Sequence, residues 1–140
     1  LFSEAKKENL GTTFHTGEAT GIDEMWEVVE EIKPDRIGHG LACVQDKALM
    51  EKIAKEEIVL ENCPTSNLQT GVVKDYGQMR EIFAKFQEYK IKFTINTDGP
   101  ELQKTNLKEE YRRLLENEVL TQDDLLACNQ IARQATFIKN

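Results

Sequence analysis

Arg36-Ile37-Gly38-His39-Gly40 reads as a short β-strand that runs into a histidine held between two glycines. Helical patterns flank it on both sides. Upstream, Ile22, Met25, Trp26, Val28, Val29 and Ile32 recur at helical spacing until Lys33-Pro34-Asp35 breaks the run. Downstream, Asp46 is placed to cap a helix carrying Leu49, Met50, Ile53 and Ala54. The same strand-then-helix unit recurs along the chain. Thr12-Thr13-Phe14 runs into His15-Thr16-Gly17-Glu18, Ile58-Val59-Leu60 closes on Glu61-Asn62-Cys63-Pro64, and Phe93-Thr94-Ile95 ends in Asn96-Thr97-Asp98-Gly99. A charged helix over Phe2–Asn9 precedes the first strand. A loop over Leu68–Tyr76 leads into a helix with Met79, Ile82, Phe83, Phe86 and Tyr89. Helices over Leu107–Leu115 and Gln122–Ile138 close the chain, the second capped by Thr121.

Strand ends near His15, His39, Asn62 and Thr97 lie 24, 23 and 35 residues apart. Those intervals fit helical crossovers between strands that run the same way. The expected fold is therefore α/β, with about four parallel strands and flanking helices, in one domain over residues 1–140.

Composition narrows the function. The 140 residues carry 18 Lys+Arg against 25 Asp+Glu, a formal charge of −7, with 39% hydrophobic and 31% charged residues. A pI near 4.9 argues against a nucleic-acid partner, which needs clustered cations to displace counterions. No apolar run approaches the ~20 residues of a membrane span, so no membrane partner is expected. Cys43, Cys63 and Cys128 are odd in number and widely spaced, which suggests neither a disulfide framework nor a cysteine metal site and points to a cytoplasmic location.

The polar residues at the strand ends carry the chemistry, because a β/α barrel assembles its active site there. His15 could be a metal ligand or a satisfied polar residue at a strand edge. Glu18 could sit at a helix entry or donate a proton beside a metal. His39 could be a base or electrostatic group approached closely by a ligand, or part of a glycine turn. Asp98 could cap the next helix or bind a cation. Cys63 reads as a buried thiol, and Thr65-Ser66-Asn67 as ordinary turn chemistry.

Taken in order, His15-Thr-Gly-Glu18, Arg36-Ile-Gly-His-Gly40, Glu61-Asn-Cys-Pro-Thr-Ser-Asn67 and Asn96-Thr-Asp98 closely resemble the adenosine deaminase family of metal-dependent amidohydrolases. Thr105-Asn-Leu-Lys-Glu-Glu-Tyr111 is similar to the segment that follows the family's last metal aspartate. The resemblance implies the C-terminal half of a TIM-type (β/α)8 barrel and a zinc cofactor. The implied activity converts adenosine or a related aminopurine to the 6-oxo purine and ammonia. It makes His15 and Asp98 metal ligands, Glu18 the acid that protonates a purine ring nitrogen, and His39 the residue that orients and deprotonates the attacking water. Gly17 and Gly99 fall at the substrate.

Two departures bound this reading. The family's opening His-x-His string is absent, and the chain holds only two histidines, so His15 and Asp98 supply two ligands where a catalytic zinc takes three. Gly99 stands where many adenosine deaminases have a second aspartate that contacts the purine. A chain that opens on Leu1 fits a piece of something longer, whose partner is the N-terminal half of the barrel or a second copy of itself. The alternative function is a non-catalytic half-barrel serving as a binding or assembly module. Both outer strands should expose unpaired backbone, and the sheet's inner face is expected to be an apolar patch. Expressed alone, Leu1–Asn140 should therefore sediment as an associated species and fail to deaminate adenosine with zinc supplied. A monomer with turnover would overturn the half-barrel expectation.

Overall fold

In the computed structural model, which describes residues 2–138, four strands form one sheet in the order β1-β2-β3-β4. β1 is Thr13–Thr16, β2 Arg36–His39, β3 Val59–Asn62 and β4 Phe93–Ile95. Every neighbouring pair is parallel. His15 lies level with Gly38, Gly38 with Glu61, and Glu61 with Thr94. This register brings the four carboxyl ends to one edge of the sheet, as the sequence intervals require.

The helices are α1 (Phe2–Lys7), α2 (Ile22–Glu27), α3 (Lys47–Lys55), α4 (Pro64–Gln69), α5 (Tyr76–Glu88), α6 (Pro100–Gln103), α7 (Leu107–Glu116) and α8 (Gln122–Gln134). Among the described residues, none is long and apolar enough to cross a membrane. Strand side chains alternate between the two faces of a sheet. Ile37, Leu60 and Phe93 belong to the buried core with Met25, Val29, Leu49, Ile53, Phe83, Phe86 and Leu114. Phe93 stacks on Phe83 at 5.1 Å between ring centroids and meets Phe86 at 5.6 Å. Each such ring contributes a few kcal/mol of burial, roughly 1.5–3.

The opposite face corrects the expectation of an apolar patch. Thr13, His15, Arg36 and Glu61 stand on it. The Arg36 guanidinium lies 3.2 Å from the Glu61 carboxylate, which also accepts the Thr13 hydroxyl at 2.9 Å. Polar groups on three adjacent strands are thus linked across the sheet through the Glu61 carboxylate, although the Arg36 Nε is buried without a partner among the described residues, and Val59 is a buried apolar position among them.

Several boundaries also differ from the sequence reading. β1 extends through Thr16, so His15 lies within the strand. The helix over Ile22–Ile32 loosens into a π turn at Val28–Ile32 and stops at Lys33, whose φ is +51°. Helix α8 ends at Gln134 rather than Ile138, and the tail past it places the Phe137 ring 3.8 Å beneath the Arg36 guanidinium. That cation–π contact competes with further helix. The stretch at Pro64–Gln69, read as a turn and the start of a loop, is helical. The caps hold. Asp46 accepts from the Ala48 and Leu49 amides and from the Trp26 indole, and Thr121 forms a reciprocal capping box with Asp124.

Cys43, Cys63 and Cys128 are unpaired and buried, and burial pushes each thiol up to about 12. Because the thiolate is the nucleophile, iodoacetamide at pH about 8 should leave the folded protein unlabelled and add three groups once guanidinium unfolds it, read by intact mass. Rapid labelling of the folded form would contradict the burial.

Candidate active site

The site is built by the turns that follow β1, β2 and β4, together with α4. After His15, the chain reverses at Gly17, whose φ is +72°. A Cβ at Gly17 would lie 2.4 Å from the Met25 sulfur and 3.0 Å from the Gly40 Cα, so this turn requires glycine. The Gly17 amide donates to the Thr20 hydroxyl at 3.0 Å, and its carbonyl accepts from the Ala42 amide at 2.9 Å. This tight reversal carries Glu18 back over the strand ends. Glu18 Oε2 lies 3.4 Å from His15 Nε2 and 3.6 Å from His39 Nε2. Ligand-capable atoms of His15, Glu18 and His39 all fall within 4.8 Å of one another.

The two histidines differ in environment. Their ring centroids are 4.5 Å apart, yet the His15 side chain is 63% exposed and that of His39 only 3%. His39 adopts a left-handed backbone, φ +63°, followed by Gly40 at +69°. A non-glycine residue there carries a local cost of about 1–3 kcal/mol that its surroundings must offset. Burial lowers the His39 pKa below its ordinary 6.5, against the upward pull of Glu18. Asn67 Nδ2 lies 2.8 Å from His39 Nδ1 and 3.0 Å from Glu18 Oε1. An amide nitrogen can only donate, so this contact puts the hydrogen of the neutral ring on Nε2.

Asp98 also has left-handed backbone, φ +58°. Its Oδ2 accepts the Ser66 hydroxyl at 2.7 Å and the Gln103 amide at 3.3 Å. The Ser66 bond, foremost, holds the Asp98 carboxyl below the usual carboxylate range. A helix-capping role does not describe it, because Gly99 occupies the N-cap of α6. His15, His39, Glu61, Cys63, Asn96 and Asp98 face one cavity of about 420 Å³. Glu18 and Gly17 line a neighbouring cavity of about 360 Å³, with Glu18 between the two histidines and that second space. Gly99 adjoins Asp98 but is absent from the cavity wall. A Cβ there would make only ordinary contacts, the nearest with Leu102 at 3.7 Å.

The sequence reading overlooked α4. Ser66, Asn67 and Thr70 hold Asp98, His39 and Glu18 by their side chains. Proline at the first helical position was the available signal, since its fixed φ suits a helix start.

The adenosine deaminase family profile matches residues 1–140. A curated adenosine deaminase of Shewanella loihica is 32% identical over 139 residues, covering 99% of this chain and 41% of that protein. Among solved structures, the adenine deaminase of Arthrobacter aurescens superposes with a TM-score of 0.88 at 18% identity, covering all of this chain and 42% of its own. The N6-methyl-AMP deaminase of Arabidopsis thaliana gives 0.82 at 28%, covering 99% and 40%. A zinc-bound amidohydrolase of Burkholderia ambifaria gives 0.82 at 22%, covering 99% and 39%. The chain belongs to the adenosine deaminase family, part of the amidohydrolase superfamily. Its four strands correspond to about two-fifths of the barrels it matches.

The depressed His39 pKa links stability to pH. An unfolded chain binds the proton near 6.5 and the folded chain only at lower pH, so this contribution is present above 6.5 and lost as pH falls from there through the folded value. The urea midpoint of the metal-free protein should drop between about pH 7 and pH 5, and less steeply in His39→Asn. Equal slopes would mean that His39 titrates normally.

Proposed function

We propose that a complete barrel containing this chain catalyses zinc-dependent hydrolytic deamination of adenosine or a related aminopurine. The observation that carries the reading is the convergence of His15, Glu18 and His39 within 4.8 Å, beside a cavity that Asp98 also lines, in a chain of this family. In this reading residues 1–140 are one half-barrel unit, and the remaining ligands come from outside it.

The donor set fits zinc. His15 offers a well-exposed imidazole, and Asp98 a carboxyl held below the usual range; both are ligand types that zinc takes. Held by His15 and Asp98, zinc would lower the pKa of water toward ~7 and so supply a nucleophile at neutral pH.

The protein's own groups divide the proton work. Glu18 gives its proton to a purine ring nitrogen, and the adjoining C=N electron pair moves onto that nitrogen as water oxygen bonds to C6. His39 donates from Nε2 in the tautomer that Asn67 selects, which orients water. To take the water's proton at Nε2, the ring must shift its hydrogen to Nδ1 and release Asn67. The proton then passes to the amino group, the C6–N bond breaks with its pair and ammonia leaves, while the new C6 hydroxyl gives up its proton, which restores the Glu18 acid, and the O–H pair closes the C6=O bond of the 6-oxo purine. Gly99 puts no side chain beside Asp98, which fits adenosine, free adenine or an N6-substituted nucleotide as substrate.

The test is a pair of variants in the complete barrel. His39→Asn, whose new side chain tolerates left-handed backbone, should cut turnover at least about 100-fold with zinc retained. His15→Ala should lose zinc. Equal zinc loss in both would make His39 a ligand. A complete barrel that binds adenosine without converting it would return the binding-module reading.

A further inference from the structure

Glu110 on α7 is 1% exposed, and its two carboxyl oxygens are used separately. Oε2 accepts the Thr65 amide of α4 at 3.0 Å, and Oε1 accepts the Thr105 hydroxyl, between α6 and α7, at 2.5 Å. Thr65 follows Pro64 in the first turn of α4. Cys63, the N-cap residue, offers that turn no side-chain bond. The partner for an open amide of α4 is therefore a carboxyl 45 positions away in sequence. Arg113, one turn further along α7, donates to the Thr65 hydroxyl at 2.8 Å. From the other end of the short helix, Gln69 donates to the Gln103 carbonyl at 3.2 Å.

We propose that Glu110 is a positioning residue that clamps α4 to the α6–α7 junction and thereby sets Ser66 against Asp98 and Asn67 against Glu18 and His39. It touches none of these site groups itself, and acts through the helix that bonds them. A helix of six residues has little stability of its own, so its orientation must come from tertiary bonds. The importance of this clamp for zinc rests on the function proposed above; the clamp itself does not.

The test uses the complete barrel with Glu110→Leu, Glu110→Gln and Thr105→Val. Glutamine can accept the Thr65 amide with its oxygen and donate to the Thr105 oxygen with its nitrogen, so it keeps both links. In metal-free protein, Glu110→Leu should speed exchange of the Asn67 and Thr70 amides at least about tenfold, while α3 and α5 amides stay unchanged. It should also weaken zinc binding at least about tenfold in a chelator competition. Glu110→Gln should restore both to within about threefold of the parent. Thr105→Val, which leaves the Thr65 bond in place, should speed α4 exchange about threefold and decides the matter if the leucine variant does not fold. Unchanged α4 exchange, acceleration spread evenly over the protein, or failure of glutamine to rescue would overturn the proposal. A parent barrel that binds no zinc would defeat the functional reading, and the exchange measurement would still judge the clamp.

Discussion

Parallel pairing is the constraint from which the rest of this structure follows. Four strands that run the same way must each be followed by a return segment, and their carboxyl ends must share one edge of the sheet. Backbone hydrogen bonds fix that edge to within a residue, because the register is continuous from His15 through Gly38 and Glu61 to Thr94. The turns leaving that edge then need backbone that ordinary strands and helices do not supply. Gly17, His39, Gly40 and Asp98 all take positive φ within or directly beside the site. Two of these are not glycine. At His39 and Asp98 the bonds from Asn67 and Ser66 accompany the unfavourable backbone, so local strain and site geometry are held by the same short helix.

Electrostatics divides the site into unlike halves. His39 is enclosed and its protonation is opposed by burial, whereas His15, a ring's width away, faces the open cavity. Glu18 addresses both rings with one oxygen and α4 with the other. Two imidazoles of one sequence type are thereby given different chemistry by placement alone. Asp98 is fixed in the opposite sense, with donors from Ser66 and Gln103 favouring its charged form.

Much of this was legible in the sequence where the signal is local. Strand positions followed from β-prone triplets between helical patterns, and Asp46 and Thr121 announced their helices by capping chemistry that needs only neighbours. His15, Glu18, His39 and Asp98 stand out because polar residues fall at regular strand ends. What escaped depends on distant partners. Pro64–Gln69 lacks an apolar stripe and a local cap, so Thr65-Ser66-Asn67 reads as a turn until Glu110 is brought against it. The tail after Gln134 carries a helical pattern, yet it leaves the helix and lays Phe137 against the Arg36 guanidinium. Because barrel interiors are packed, the sequence predicts an apolar second face; instead Arg36 pairs with Glu61, which also accepts the Thr13 hydroxyl across it.

The bonds that tie α4 to the site's other elements have a consequence for the order in which this protein acquires its shape. They join residues 28 positions apart at His39–Asn67, 32 at Ser66–Asp98, 45 at Thr65–Glu110 and 52 at Glu18–Thr70. Closing such loops costs entropy before any contact repays it, and contacts of long sequence separation slow folding. Helices α3 and α5 can form from near neighbours, but the site cannot. During synthesis, α4 leaves the ribosome some forty residues before the carboxyl that anchors it, and until α7 follows, Ser66 and Asn67 have no fixed direction in which to point.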